Sequence, residues 1–221
     1  MTLFVEALRW LIDTSHWTGS GSIPQRLVEH FSLSLVTVAL AAFLALPVGV
    51  YIGHTGRGAG VVGAVAGVAR AIPTLGLLTI FGLALGIGVV APALALIVLA
   101  VPSLLAGAYA GIHAIEPAVP AAAKAIGMSP MQVVRRVEIP LALPVMIGGL
   151  RSATLQVVAT ATLAAYTADV GLGRYLFSGL KSRDYAQMLG GSLLVIGLAL
   201  LMELGLMLLQ RFARRKADPA K

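Results

Sequence analysis

The chain has 221 residues, of which 58% are hydrophobic and only 11% charged. Soluble domains run close to half apolar and roughly a quarter charged, so this composition excludes a water-soluble globular domain and describes an integral membrane protein. The formal charge of +7 does not mark a nucleic-acid binder, because the basic residues sit beside apolar spans as topology signals do; the absence of cysteine excludes disulfides, thiol nucleophiles and thiolate metal sites.

The first residues carry Glu6 and Arg9 within an apolar run and are not read as a signal peptide. Leu3, Phe4, Ala7, Leu8, Leu11 and Ile12 recur at helical spacing and, with Trp10 and Trp17, predict a short helix at the membrane surface. Gly19, Ser20, Gly21 and Ser22 then break the pattern. Apolar spans are expected at residues 31–53, 58–90, 91–112, 139–166 and 185–212. The second is broken near Pro73, which removes a backbone donor and disfavours helix at Ile72. At about 20 residues per crossing this is one membrane domain. The fold class is all-α, a polytopic bundle of about five core helices, with glycine and alanine letting the backbones approach closely.

Between the third and fourth spans lies a polar interruption, residues 116–140. Pro117 and Pro120 suit a first helical turn, where a missing N–H costs nothing. Ala121, Ala122 and Ala123 propagate helix and leave a nearly featureless face. Gly127 can stop the helix by taking a positive φ. Ser129 and Pro130 can cap a second helix running through Gln132, Val133 and Arg136. Ile139, Pro140 and Pro144 punctuate the return to the membrane. A small-faced helix of this design fits a groove on a partner outside the bilayer; the alternative is an incidental amphipathic connector. With this loop in the cytoplasm, only Arg9, Arg26, Arg174, Lys181 and Arg183 of the sixteen basic residues remain on the other side. That bias puts the N-terminus outside and the C-terminus inside.

Three charges fall at membrane depth: Arg70, Arg151 and Glu203. Glu203 lies about 12 Å into a ~30 Å hydrocarbon core. A lone charge there costs at least ~2.5 kcal/mol on insertion scales. Pairing of Glu203 with Arg151, or with Arg70, is therefore predicted; the alternatives are separate snorkelling or a wet cavity. Pro73, as a helix break, and Tyr109, at the inner end of the third span, are candidate pathway positions, with packing the other reading of Tyr109. His16, His30, His54 and His113 are scattered near span ends and loops. They are read as interfacial and show no metal-ligand spacing.

At this loop the residues resemble the permease subunits of ATP-driven importers. That family carries Glu-Ala-Ala, three residues, Gly, nine residues, Ile, one residue, Leu-Pro. Here the frame is Ala121, Ala122, Ala123, then Gly127, then Val137, Ile139 and Pro140. The flanking text from Lys124 to Pro144 is closer still to permeases for glycine betaine, choline and related osmoprotectants. Further matches are His30-Phe-Ser-Leu-Ser, Leu46-Pro-Val-Gly, Arg70-Ala-Ile-Pro-Thr-Leu, Tyr109-Ala-Gly-Ile and Gly148-Gly-Leu-Arg-Ser-Ala.

The resemblance implies an N-terminal segment over residues 1–27, a type I importer permease domain over 28–211 with a methionine-importer-like five-helix core, and a basic tail over 212–221. It implies that Ala121, Ala122, Ala123, Lys124, Gly127, Met128, Ser129, Ile139 and Pro140 form the loop that docks on a cytoplasmic ATPase. ATP and Mg belong to that partner, since the chain has no Gly-x-x-x-x-Gly-Lys-Ser/Thr phosphate loop. The chain is then a transport subunit, not an enzyme, without a cofactor of its own. Other implied partners are a second permease copy or paralogue, an extracytoplasmic solute-binding protein and membrane lipid; nucleic acid is not among them.

The implied function is uptake of a compatible solute across the inner membrane by ATP-driven alternating access. The solute would be of the glycine betaine, choline, carnitine or proline-betaine type. An amino-acid or methionine importer permease, and a stand-alone secondary transporter or channel, remain as alternatives. A quaternary amine is bound by aromatic cages, and Tyr51, Tyr109, Tyr166, Phe43 and Phe81 are too scattered for one. Selection is thus expected on the separate binding protein. Two departures stand out. Ala121 occupies the place of the family's Glu, which suggests a matching change on the ATPase or a partner permease that keeps the acid. Asp169, in the turn after the fourth span, is either a solvated loop acid or a substrate contact.

Overall fold

The computed structural model describes residues 2–217, apart from the side chains of residues 69, 70, 216 and 217. The helices are α1 (Thr2–Ile12), α2 (Ile23–Thr55), α3 (Ala59–Ala71), α4 (Thr74–Leu85), α5 (Val90–His113), α6 (Ala118–Ala125), α7 (Pro130–Tyr166), α8 (Gly173–Ser182) and α9 (Tyr185–Ala217). A single 3-10 turn, Thr14–His16, separates α1 from α2. Four of these helices (α2, α5, α7 and α9) are long and apolar enough to cross a membrane.

The expected second span is divided. Ile72 is extended (φ −75°, ψ 119°), as the residue before a proline prefers, and α3 and α4 are two shorter apolar helices on either side of it. The bundle is therefore four full-length helices and one broken one. Two boundaries also differ from expectation. Helix α2 starts at Ile23, inside the expected N-terminal segment, because Pro24 fits its first turn and Ser22 supplies the extended cap residue. Helix α9 continues to Ala217, past the expected tail start at residue 212, through good helix formers. Residues 218–221 of that tail lie outside the described residues.

Helix α5 occupies the centre, with its most extensive packing against α2 on one side and α7 on the other. The main apolar cluster joins Val38, Ala41 and Ala45 of α2, Leu96, Ala100 and Leu104 of α5, and Ala153 and Val157 of α7. Close approach depends on missing side chains. A Cβ on Gly107 of α5 would lie 2.8 Å from the Cα of Gly149 on α7, and one on Gly49 of α2 would lie 2.6 Å from the Cβ of Ala108. Helix α9 packs on α7, while α1 and α8 lie against α9. Trp10 of α1 stacks on His16 at 4.4 Å and meets Tyr175 of α8 edge-on at 5.0 Å.

One end of the bundle is closed by polar contacts between the start of α2 and the turn after α7. Arg26 donates to the backbone carbonyl of Asp169 (2.8 Å) and to its carboxylate (2.9 Å), and Arg174 reaches the same carboxylate at 2.7 Å. Asp169 is thus an exposed loop acid, in line with the first of its two readings, and it pairs with Arg26 and Arg174. Glu29 accepts the Gly171 N–H at 2.9 Å. His30, expected at an interface, is fully buried. Its Nδ1 accepts the Leu172 N–H, so Nε2 carries the proton and donates to the Val158 carbonyl at 2.9 Å. The early start of α2 explains this, since it sets His30 two turns inside the helix. Tyr175 donates to the Gly21 carbonyl at 2.6 Å, and burial pushes its phenol up from the ordinary value.

Replacing Gly107 with alanine should force α5 and α7 apart and cost about 1–3 kcal/mol. The purified protein should unfold at a lower temperature in detergent, whereas Gly60→Ala on α3, where nothing lies within 4 Å of the new Cβ, should hold or raise that temperature.

Candidate functional site

The loop after α5 is two short helical pieces locked by local hydrogen bonds. Helix α6 ends in a paired-bond stop: the Gly127 N–H bonds the Lys124 carbonyl (3.0 Å) and the Met128 N–H bonds the Ala123 carbonyl (3.1 Å). Gly127 has φ +92°, which a side chain would strain. Ser129 and Gln132 then form a reciprocal capping box at the start of α7, at 2.8 and 3.4 Å. These bonds fix the turn between α6 and α7 locally.

Helix α6 packs on the first turns of α7, and its Ala123 is buried. Ala121, Ala122, Lys124, Gly127 and Ser129 are exposed; Met128 and Ile139 are half-buried, and Pro140 is exposed. The outward face also carries two apolar side chains that spacing does not reveal, Ile126 (78% exposed) and Met131 (58%). Lys124, Arg135 and Arg136 make the surroundings of this face basic, with no acid at Ala121. The supporting side is dry: Val133 is fully buried, and Val134 and Ile139 pack on Val50, Ala108, Ile112, Ala142 and Met146 of α2, α5 and α7. An exposed small-residue face on a base fused to the bundle core can transmit force to the spanning helices.

Helix α7 is α-helical over Pro130–Val133, widens to a π turn over Val134–Glu138, resumes over Ile139–Thr160 and tightens to 3-10 at Ala161–Tyr166. A π turn inserts one residue and so rotates the side chains beyond it about the helix axis. Here it leaves Arg135 and Arg136 exposed and turns Glu138 inward. The Glu138 carboxylate accepts from Nδ1 of His54, in the last turn of α2, at 2.7 Å. Sequence reasoning does not reach this pair; a carboxylate two residues before Pro140 at the edge of an apolar span is the signal that could have found it.

The structure brings Arg151 and Glu203 together across α7 and α9, with Arg151 Nε 3.2 Å from the carboxylate and Nη2 also in contact. Gln210, two turns beyond Glu203, accepts from Arg151 and donates to the Pro144 carbonyl at 2.7 Å. Gln210 is buried and stands outside the sequence expectation; an amide late in an apolar helix is its only sequence signal. The side chain of Arg70 lies outside the described residues. Pro73 is exposed at the α3–α4 break. Tyr109 is half-buried against the main cluster and stacks on His113 at 5.2 Å. A groove of about 520 Å³ runs beside the Arg151 network, lined by Ser103, Gly107, Pro144, Gly148, Gln210 and Arg214. Among the described residues no three His, Asp or Glu side chains gather as a metal site.

Four membrane-length helices with a loop helix seated on their packed core describe a multi-pass membrane protein. The chain belongs to the family described as "Binding-protein-dependent transport system inner membrane component", which matches residues 45–218. It is an inner-membrane, multi-pass permease subunit of that transport family.

Among its relatives, the choline transport system permease protein OpuBB of Bacillus subtilis is 34% identical over 203 residues, covering 92% of each chain. The glycine betaine/carnitine/choline transport system permease protein OpuCB of the same organism is 33% identical, covering 88% of this chain and 89% of the relative. The osmoprotectant import permease protein OsmW of Salmonella typhimurium is 29% identical, covering 87% and 93%. Two inward-facing structures of the MetNI methionine ABC transporter share the fold. Their TM-scores are 0.76 and 0.75 at 24% and 22% identity, over 86% and 93% of this chain and 95% and 97% of theirs. The expected type I importer permease fold is present.

If Arg151 and Glu203 act as one unit, Arg151→Gln and Glu203→Gln should each lower the unfolding temperature and the double variant should lose less than the sum. A double-mutant cycle on the detergent-purified protein measures this, and strict additivity would show the contact to be energetically idle.

Proposed function

We propose that the chain is the membrane-spanning subunit of an importer for a quaternary-amine compatible solute of the choline, glycine betaine or carnitine class. The permeases it resembles over nearly their whole length carry such solutes in their names. Energy comes from a separate ATPase that seats α6 in a groove, and the solute arrives on a separate extracytoplasmic binding protein. The N-terminus lies outside and the C-terminus in the cytoplasm, and the pore forms with a second copy or a paralogue. The observation that carries this reading is the exposed α6 face, Ala121, Ala122 and Ile126, set on a buried base at Val133. Ile126 enters the ATPase groove as an apolar knob, and the basic rim of Lys124, Arg135 and Arg136 favours an acidic lip on the partner.

Reconstitution with the ATPase and binding protein in proteoliposomes tests the transport reading. Labelled choline, glycine betaine or carnitine should accumulate only with ATP and binding protein both present. Uptake by the permease alone would make it a secondary transporter or channel, and selective methionine uptake would move the substrate class.

Docking is tested separately. Ile126→Asp places a charge where an apolar contact is expected and should weaken ATPase binding at least roughly thirtyfold, the scale of an interface hot spot. Co-purification and titration of the ATPase against the variant measure it, while the unfolding temperature should hold because Ile126 is exposed.

A further inference from the structure

His54 and Glu138 are 84 residues apart in sequence and meet at 2.7 Å, where the last turn of α2 passes the π turn of the loop. The Glu138 side chain is only 6% exposed. A carboxylate so buried is tolerable when paired, and the π turn is the feature that aims it inward.

The rest of the contact between α2 and the loop is apolar. Beside the pair an apolar groove of about 480 Å³ separates the two, lined by Leu46, Pro47 and Tyr51 of α2 and by Met131 and Arg135 of α7. From α2, Val50 and Leu46 share an apolar cluster with Val134 and Ile139. Apolar contacts of this kind can slide, whereas a charge-assisted hydrogen bond is directional and holds one register.

We propose that His54 and Glu138 are positioning residues which make α2 follow the coupling loop, so that movement of α6 by the ATPase reaches the first spanning helix. The proposal rests on the ATP-driven reading above and assigns to one pair the transmission that reading requires.

The test separates coupling from folding. Leucine at both positions removes both polar partners and so leaves no orphaned charge. The permease carrying His54→Leu with Glu138→Leu should assemble with its ATPase and hydrolyse ATP, yet move severalfold less solute per ATP. His54→Asn keeps an N–H donor near Nδ1 and should restore most of the ratio.

Spin labels at Tyr51 and Met131, on opposite walls of the groove, give a readout independent of transport: a narrow distance distribution that broadens in the double variant. An unchanged ratio and distribution in the double variant, or equal failure of His54→Asn, would overturn the proposal. So would a double variant unable to assemble, since the pair would then be a folding element. Uptake by the unmodified complex in the same vesicles reports separately on the functional reading.

Discussion

Helix α5 is held against α2 and α7 at separations that only glycine and alanine permit, and the rest of the architecture hangs on that grip. Lipid offers no hydrophobic gain for pressing one apolar helix on another, so the contacts must come from close backbone approach. Gly49 meets Ala108 on one side and Gly107 meets Gly149 on the other. The three helices pack side by side as one slab. The broken α3–α4 pair and α9 lie outside it, and in α9 just 6% of the most apolar window is buried within the chain. The coupling loop is built on the end of this slab, through Val50, Ala108, Ile112 and Met146, and not on the looser helices.

Polar groups then fasten what small residues leave free. Each long-range fastening joins elements that apolar contact alone would allow to slide. Arg26, Glu29 and His30 hold the turn after α7 at one end. Arg151, Glu203 and Gln210 join α7 to α9. His54 and Glu138 join α2 to the loop. An unpaired polar group among apolar helices is costly, so such residues settle where a partner exists and fix helix rotation as they do. In a permease that must rock between states, these few directional contacts decide which helices move together.

Several features are legible from spacing because their physics is local. The Gly127 stop and the Ser129–Gln132 capping box involve residues three to five apart, and the structure contains both as hydrogen-bonded motifs. The break at Ile72–Pro73 follows from one ring clash. The Arg151–Glu203 contact can be anticipated because a lone charge at that depth is expensive, whatever the fold. Gln210 escapes such reasoning since a neutral amide carries a smaller penalty and advertises no partner. Ile126 and Met131 escape it because exposure of α6 depends on how it leans on α7. His30 is misplaced together with the start of α2: Pro24 and Ser22 begin the helix earlier than apolar content suggests, and a residue read as interfacial becomes core.

The sequence by itself determined the membrane class, the helical spans, their breaks and the loop's turns. Each of these is set by composition or by interactions within a few residues. Its motif frame also marked the family. Only the tertiary structure decided that Asp169 meets Arg26 across 143 residues, that Glu138 meets His54 across 84, and that Gln210 completes the Arg151 network. Those pairings depend on the rotation and register of whole helices. That geometry is set by the close approaches at Gly49 and Gly107 and by the π turn at Val134–Glu138, neither of which residue spacing along the chain encodes.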